Sequence, residues 1–454
     1  MSASEPTCTR PRLNTIAGPI LGEFLLAMTV VMAGLWLASH TSDAAAGAFG
    51  LAQQVLETLL VVFRVLAIGL GVVITQALGS GQPAVAQRAS MVALGAGTWS
   101  GLLVVATVLS CNQAALDLLN VPDAVQLLAS PFLMLLAPAM LLDAYNLSLA
   151  AILRAHLHAR DSLRVMIATH AVHLLIAIVL MRGIGDWNGI GLNGYALGMI
   201  VSRALGLALH LGLWRRRLGL VPRWRDWWTV PLPVLAPVLH IGLPAAATEM
   251  VYRLGFMVSL AATARLGVAA LAAHSYTLQL LKYVLLVSMA IGWACEIMVG
   301  RLVGAGDLGS ADRLVRKGVR NGLLASGSFA LAVALGAPWL LRVFTRDPAI
   351  IGAAQTLLWL SLGLETGRVF NLVLTGALRA TGDVIVPAGA SMVSMALVMG
   401  VGSYWLSRFF GLPGIWVAYA FDEWVRGLVL LARWHWRGWL GHARDTQRRI
   451  RARS

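Results

Sequence analysis

Two stretches of the chain, ITQALGSGQPAVAQRAS (Ile74 to Ser90) and VGRLVGAGDLGSADRLV (Val299 to Val315), follow one pattern. A shift of 225 positions places Gly79 of the first on Gly304 of the second. The same shift, without a gap, aligns further pairs: Pro19 with Pro244, Gln54 with Gln279, Asn146 with Asn371, Arg154 with Arg379, Ala155 with Ala380, and Gly189 with Gly414. A period of 225 in a chain of 454 residues predicts two copies of one structural unit.

The composition is that of a membrane protein. Hydrophobic residues make up 58% of the chain and charged residues 12%, whereas soluble proteins carry about 25% charged residues. Apolar runs such as 102–109 and 326–341 lie in windows wide enough to cross a bilayer. The three cysteines, Cys8, Cys111 and Cys295, have neither metal-binding nor disulfide spacing, and we expect buried thiols.

The apolar pattern fits twelve helical spans joined by short connections rich in Gly, Pro, Asn and Asp. The predicted spans are residues 16–38, 46–78, 91–111, 124–152, 165–182, 192–213, 236–263, 269–301, 319–341, 349–377, 386–407 and 412–432. The predicted fold is therefore an all-α polytopic membrane protein with two six-helix lobes, related by a pseudo-twofold axis along the membrane normal. The predicted divisions are 1–213 (N-terminal lobe), 214–235 (cytoplasmic linker), 236–432 (C-terminal lobe) and 433–454 (basic cytoplasmic tail).

The basic residues predict the orientation of the chain. Most of the 35 lysines and arginines lie in the N-terminal segment, the even-numbered loops and the tail. Cytoplasmic loops are enriched in these residues, so we expect both termini in the cytoplasm and a multi-pass protein of the cell (inner) membrane. The net charge of +15 thus reports topology, and no nucleic-acid partner is predicted. The bilayer and small-molecule substrates are the expected partners, with the monomer as the functional unit.

Several motifs, taken in order, resemble those of the MATE efflux transporters. They are Gly-Ser-Gly-Gln and Gly-Ala-Gly-Asp after spans 2 and 8, Gly-Leu-Pro at 242–244, AAHSYTLQ at 272–279 and GALRATGD at 376–383. The resemblance covers about residues 16–438. It implies two lobes around a central cavity, and secondary active export of organic, often cationic compounds in exchange for H⁺ or Na⁺. No further cofactor is implied.

The chain departs from this family at the acids that couple transport to the ion. Many members carry an aspartate in the middle of span 1, but the only acid there is Glu23, near the end of the span. At the positions aligned with the acids of the Na⁺-coupled branch, the chain has Tyr252 and Arg368, while Glu249 and Glu365 lie three residues earlier. A charge at the bilayer centre costs about 2.5–3.5 kcal/mol and therefore needs a partner or a function. We predict a cation or proton site formed by Glu249, Glu365 and Glu23.

Helical spacing leaves a purely structural interpretation open. Glu249 has Arg253 at i+4, and Glu365 has Arg368 at i+3, so each pair can form a static salt bridge along its own helix. The predicted substrate cavity is lined by Tyr252, Arg253, Met257, Arg368, Asn371, Asp143 and Asn146.

The repeat places opposite charges at equivalent positions in the two lobes. Glu57 aligns with Lys282, and Asp143 aligns with Arg368. We predict that Glu57 and Lys282 form an inter-lobe gate in one access state; the alternative is that each has a partner in its own lobe.

Two other functions remain possible from the sequence. A lipid-linked precursor flippase would need a strongly basic cavity, yet the acids within the spans are at least as numerous as the bases. A membrane-embedded transferase would need a polar catalytic cluster at one membrane face, but the longest loop, 214–235, holds one acid (Asp226) and no histidine. An enzyme is therefore not predicted. The histidines lack metal-binding spacing, and no metal site is predicted.

Overall fold

The computed structural model describes residues 13–118, 121–183 and 185–451. Cys8 and the basic residues of the N-terminal segment, Arg10 and Arg12, lie outside the described residues. Regular structure in the described residues is helical. The helices are α1 (Leu13–Ser39), α2 (Asp43–Gly79), α3 (Pro83–Leu118), α4 (Asp123–Ala155), α5 (Ala159–Arg182), α6 (Leu192–Leu213), α7 (Leu232–Ala264), α8 (Val268–Ala305), α9 (Leu308–Leu341), α10 (Pro348–Thr381), α11 (Ile385–Ser394), α12 (Gly402–His435) and α13 (Trp439–Arg451). Short π and 3₁₀ segments lie at Trp214–Leu218, Trp224–Trp227 and Met395–Val401.

The last two predicted spans form one continuous helical stretch with a single break. α11, the π segment and α12 follow one another directly over Ile385–His435. Gly411 interrupts α12 with φ 60° and ψ −139°, a conformation that glycine adopts readily because it has no Cβ. With this break, the eleven long apolar stretches of the described residues supply the twelve predicted spans.

The repeated motif ends α2 and α8 with tight turns, as expected from its glycines. Gly81 and Gly306 have φ 75° and 82°. The next helices start sooner than predicted, at Pro83 and Leu308. In α9 this early start has a clear cause, because the side chain of Asp307 caps the helix by accepting from the Ser310 amide at 3.0 Å.

The two lobes share hydrophobic cores on one side only. We call the side where α1 begins and α13 lies the termini side. There, Ile16 and Ile20 of α1 belong to one core with Ala294 of α8, and Val238 of α7 belongs to one core with Leu66 of α2. On the opposite side, each of the two cores is built from a single lobe, 37–199 or 262–419.

The ends of α2 and α8 meet in a reciprocal backbone contact. A Cβ on Gly79 would lie 2.0 Å from the Arg301 carbonyl oxygen, and one on Gly304 would lie 2.1 Å from the Gln76 carbonyl oxygen. The repeat relates Gly79 to Gly304 and Gln76 to Arg301, so the same contact is made twice about a pseudo-twofold axis. Glycine permits this close approach of two helices.

The same two residues also bridge the lobes by hydrogen bonds. Gln76 Nε2 donates to the Ala380 carbonyl at 2.8 Å, and Arg301 Nη2 donates to the Ala155 carbonyl at 2.9 Å. Ala155 and Ala380 are repeat partners at the C-terminal ends of α4 and α10, where the last carbonyls lack helical donors. Each copy therefore donates a hydrogen bond to a carbonyl at a helix end of the other copy.

Substitution of Gly79 by alanine should destabilise the protein. The added Cβ would displace a backbone carbonyl, and overpacking of this kind costs about 1–3 kcal/mol. We expect Gly79→Ala and Gly304→Ala to lower the apparent unfolding temperature of the detergent-purified protein. Gly71→Ala on α2 is the matched control, since apart from its own stretch of helix no atom lies within 4 Å of the added Cβ. Equal unfolding temperatures for all three variants would contradict the proposed contact.

Candidate functional site

Four charged residues bridge α2 and α7 within the apolar part of the chain. Arg64 donates to Glu57 Oε2 at 3.0 Å and also to Glu249. Arg253 Nη2 lies 3.2 Å from Glu249 Oε1 and 3.7 Å from Glu57 Oε2, and it donates to the Glu57 carbonyl at 3.1 Å. We call Glu57, Arg64, Glu249 and Arg253 the inter-lobe network. Its two carboxylates and two guanidinium groups balance, so no net charge remains.

Close packing of two helices holds this network together. A Cβ on Gly242 of α7 would lie 2.1 Å from the Val65 carbonyl oxygen of α2, so the two backbones touch. Glu249 and Arg253 then project from one face of α7 at i+4. The predicted Glu249–Arg253 pair is present, but it is part of a larger set that joins the lobes.

A second set of charges lies entirely within the C-terminal lobe. Arg368 on α10 contacts Glu365 and donates to Glu423 Oε1 at 3.2 Å. On α12, Arg426 Nη2 lies 2.6 Å from Asp422 Oδ2 and 3.1 Å from Glu423 Oε1. We call these five residues the C-lobe cluster. All of their side chains are at most 13% exposed, and that of Glu365 is 0% exposed.

Neutral side chains complete the hydrogen bonding of two of the carboxylates. Asn371 Nδ2 donates to Glu423 Oε2 at 2.8 Å, and Ser394 Oγ donates to Asp422 Oδ1 at 2.6 Å. Glu365 Oε2 is buried without a hydrogen-bond partner in the described residues. Because three carboxylates face two guanidinium groups, the C-lobe cluster carries an excess of one negative charge when all of them are ionised.

A cavity of 240 Å³ opens beside this cluster. Its lining residues come from α7, α8, α10, α12 and the π segment: Tyr252, Phe256, Leu278, Leu281, Lys282, Leu285, Leu364, Arg368, Met399, Trp416, Tyr419, Asp422 and Glu423. Tyr252 and Arg368, two of the residues predicted for the substrate cavity, lie in this lining. The charged residues of the lining balance, since Asp422 and Glu423 are matched by Lys282 and Arg368, and its aromatic rings can stack against an organic cation.

The N-terminal lobe holds a smaller polar set at the equivalent place. Arg203 Nε on α6 lies 2.8 Å from Asp143 Oδ1 on α4. Asn146 Nδ2 donates to the Arg203 carbonyl at 2.9 Å, and Asn146 Oδ1 lies 3.0 Å from His210 Nδ1. Asp143 and Asn146 are the repeat partners of Arg368 and Asn371, but they lie in the other lobe, away from the 240 Å³ cavity.

The remaining predicted residues are dispersed. Glu23 forms a buried salt bridge with Arg154 at 2.7 Å. Met257 is 65% exposed on α7. Lys282 donates to Gln279 at 3.3 Å, while Glu57 contacts arginines, so the predicted Glu57–Lys282 pair is not formed in this conformation.

Sequence reasoning missed Arg64 and Arg203 as partners of these acids. Glu57 and Arg64 are seven residues apart, which places them on one helical face, and this spacing was a usable signal. The Arg203–Asp143 contact depends on how α4 and α6 are rotated against each other, and no local spacing reports it.

Long apolar helices in two lobes, with buried charges and a cavity beside them, are typical of a membrane transporter. Residues 19–179, and again 244–405, match the MatE family. The chain belongs to this family, whose members are transporters and not enzymes.

Curated relatives match almost the whole chain. It is 28% identical to the uncharacterized transporter YisQ of Bacillus subtilis over 94% of both chains. It is 23% identical to the probable multidrug resistance protein NorM of Thermotoga maritima, over 93% of this chain and 91% of the relative. Among solved structures, the Vibrio cholerae MATE transporter VcmN in the bent form superposes with a TM-score of 0.85 at 18% identity, covering 96% and 97% of the two chains.

Arg368→Gln should strongly destabilise the protein. It removes the guanidinium group that faces Glu365 and Glu423, and breaking a buried ion pair costs about 3–5 kcal/mol. The matched control is Arg316→Gln. It breaks a 2.9 Å pair with Asp312 in which the arginine side chain is 69% exposed, so we expect a loss under about 1 kcal/mol. Apparent unfolding temperatures measure both, and an equal change in the two variants would contradict the prediction.

Proposed function

We propose that this MATE transporter is a secondary active antiporter that exports organic cationic or amphipathic compounds by alternating access, in exchange for H⁺ or Na⁺. It acts as a monomer in the cell (inner) membrane, with both termini in the cytoplasm. Family membership supports transport of small molecules, and the distribution of lysines and arginines supports the orientation. In this orientation the termini side of the lobes faces the cytoplasm.

The charge excess of the C-lobe cluster supports coupling to a cation. A largely buried set of three carboxylates and two arginines holds an excess of one negative charge when all are ionised, which is costly in a low-dielectric interior. Binding of one proton or one monovalent cation removes that cost. Glu365 is the proposed binding residue, because its Oε2 has no hydrogen-bond partner among the described residues.

Loading of Glu365 would weaken the binding of a cationic substrate in the adjoining cavity. Arg368 is shared between Glu365 and Glu423, and Glu423 lines the cavity. Once Glu365 is neutral, Arg368 compensates Glu423 alone, so the cavity loses negative charge. A cation bound beside Tyr252 and Glu423 is then released. Antiport requires such a difference in substrate affinity between the loaded and unloaded states.

Glu249 would act at a contact between the lobes, and Glu23 at a contact within the N-terminal lobe. Glu249 contacts Arg64 of the other lobe, so movement of the lobes must break or exchange this pair. The lobes share cores on the termini side and have separate cores on the other side, which supports a cleft that opens away from the termini. Glu57 could then exchange its arginine partners for Lys282 when the outer side closes.

Ion-driven efflux should fail in Glu365→Gln. In everted vesicles containing wild-type protein, we expect ethidium transport driven by an imposed pH gradient or by a Na⁺ gradient, and the effective gradient identifies the ion. The amide of glutamine cannot take up the coupling cation and is neutral like the loaded carboxyl, so Glu365→Gln should lose gradient-driven transport by about tenfold or more and bind ethidium more weakly than wild type. Glu249→Gln should also slow transport, since it removes one inter-lobe charge.

Glu296→Gln is the matched control for these variants. Glu296 is paired one to one with Arg379 at 2.5 Å in the same lobe, in the last third of α8. Glu296→Gln also breaks a buried ion pair and should lower stability, but we expect transport per folded molecule to be retained. Normal ion-driven export by Glu365→Gln would contradict the proposed coupling residue, and wild-type vesicles that export no ethidium under either gradient would favour lipid-linked substrates.

A cysteine pair tests the proposed gate. In a background without Cys8, Cys111 and Cys295, we expect Glu57→Cys and Lys282→Cys to crosslink in a fraction of the molecules that changes with the imposed ion gradient. The reason is that the two positions are repeat partners on α2 and α8, the helices that meet on the pseudo-twofold axis. If no crosslink forms under any condition, the proposed gate is wrong.

A further inference from the structure

A second cavity, of 360 Å³, lies on the termini side of the N-terminal lobe. It is formed by the start of α1, the turn between α4 and α5, the first turns of α5 and the π segment after α6. The lining residues are Thr15, Leu157, His158, Arg160, Asp161, Arg164 and Arg217. The transport cycle described above does not use these residues.

The lining of this cavity is strongly basic. Among the described lining residues Asp161 is the single acid, with a side chain only 9% exposed. Asp161 is shared by Arg164 at 2.8 Å, Arg217 at 3.4 Å and His158 at 3.5 Å. With Arg160, three guanidinium groups face one carboxylate, which leaves two positive charges even when His158 is neutral. Such an arrangement attracts an anion, and guanidinium groups fit a phosphate particularly well.

The repeat shows what fills the corresponding place in the other lobe. His158 aligns with Asp383, and Arg217 aligns with His442. There α13 covers the site: His442 lies 3.7 Å from Asp383, and Thr446 Oγ1 donates to the Thr381 carbonyl at 3.1 Å. In the N-terminal lobe, the aligned chain beyond Arg217 runs into the linker to α7, and the 360 Å³ cavity remains.

The cavity lies at the end of an apolar stripe on the surface of α5. Arg164 is 72% exposed by side chain. It is followed on the same helical face by Ile167, Leu175 and Ile178, which are 50%, 66% and 44% exposed. Exposed apolar side chains on a membrane-spanning helix face lipid chains. A lipid whose chains lie along this stripe has its phosphate at the level of Arg164.

We propose that this cavity binds the phosphate group of an anionic phospholipid from the leaflet on the termini side. The head group occupies the space between Arg160, Arg164 and Arg217, and one acyl chain follows the α5 stripe. Basic pockets beside spanning helices are suited to anionic head groups. The lipid would thereby join the start of α1 and the linker to α5, a place that α13 covers in the other lobe.

Lipid titration of the full-length, detergent-purified protein tests this site. Native mass spectrometry would count bound dioleoyl phosphatidylglycerol and, in parallel, dioleoyl phosphatidylcholine. We expect a tight phosphatidylglycerol site in wild type that the double variant Arg164→Gln/Arg217→Gln weakens by about tenfold or more. The matched control is Arg215→Gln/Arg216→Gln, which removes the same charge from exposed positions of the same segment outside the cavity. It should leave this site unchanged.

Two further measurements test the charge preference of the site and distinguish a lipid from a soluble anion. Asp161→Asn removes the one acid among the described lining residues and should tighten phosphatidylglycerol binding, a change that general misfolding would not produce. Inorganic phosphate should displace the lipid only at millimolar concentration. The proposal is overturned if the cavity and control variants lose lipid equally, if phosphatidylcholine binds as tightly, or if inorganic phosphate binds with the affinity of the lipid, since the ligand would then be a soluble anion.

Discussion

The backbone contact between the ends of α2 and α8 is the constraint on which the rest of the architecture depends. Because Gly79 and Gly304 have no Cβ, the Arg301 and Gln76 carbonyl groups of the opposite helix can lie directly against them. Gln76 and Arg301 then reach the C-terminal carbonyls of the opposite lobe. Because these contacts lie on one side, the lobes share cores there and keep separate cores on the other. The two glycines therefore determine that the lobes are held together on the termini side.

The two copies keep the same frame but have diverged in charge. Where the lobes meet, the repeat preserves its contacts, even though glutamine in one copy replaces arginine in the other. Within the spans, equivalent positions carry opposite charges, as Asp143 and Arg368 do. The N-terminal lobe balances Asp143 with Arg203, whereas the C-terminal lobe gathers an excess of carboxylates around Arg368. Ion chemistry is therefore better suited to one lobe, although the scaffold is nearly symmetric.

The sequence predicted those features that depend on local spacing or on the repeat. Twelve spans, two lobes, the turns after α2 and α8, and the pairs Glu249–Arg253 and Glu365–Arg368 all follow from periodicities of the chain. Contacts between distant helices could not be predicted in this way. Arg64 and Glu249 are 185 residues apart, and their contact depends on the rotation and depth of α2 against α7. Two residues with no shared period leave no signal in a single sequence.

The inter-lobe network and the C-lobe cluster differ in burial, and therefore in the movements that each can tolerate. Side chains of the inter-lobe network are between 23% and 46% exposed, so when the lobes part, their charges regain water or new partners at low cost. Side chains of the C-lobe cluster are at most 13% exposed, and separating them would leave charges buried without partners. In the proposed transport cycle, rigid lobes that move against each other would exchange pairs in the first set. The second set would stay assembled and change its charge instead of its geometry, which is what a proton or a small cation can accomplish.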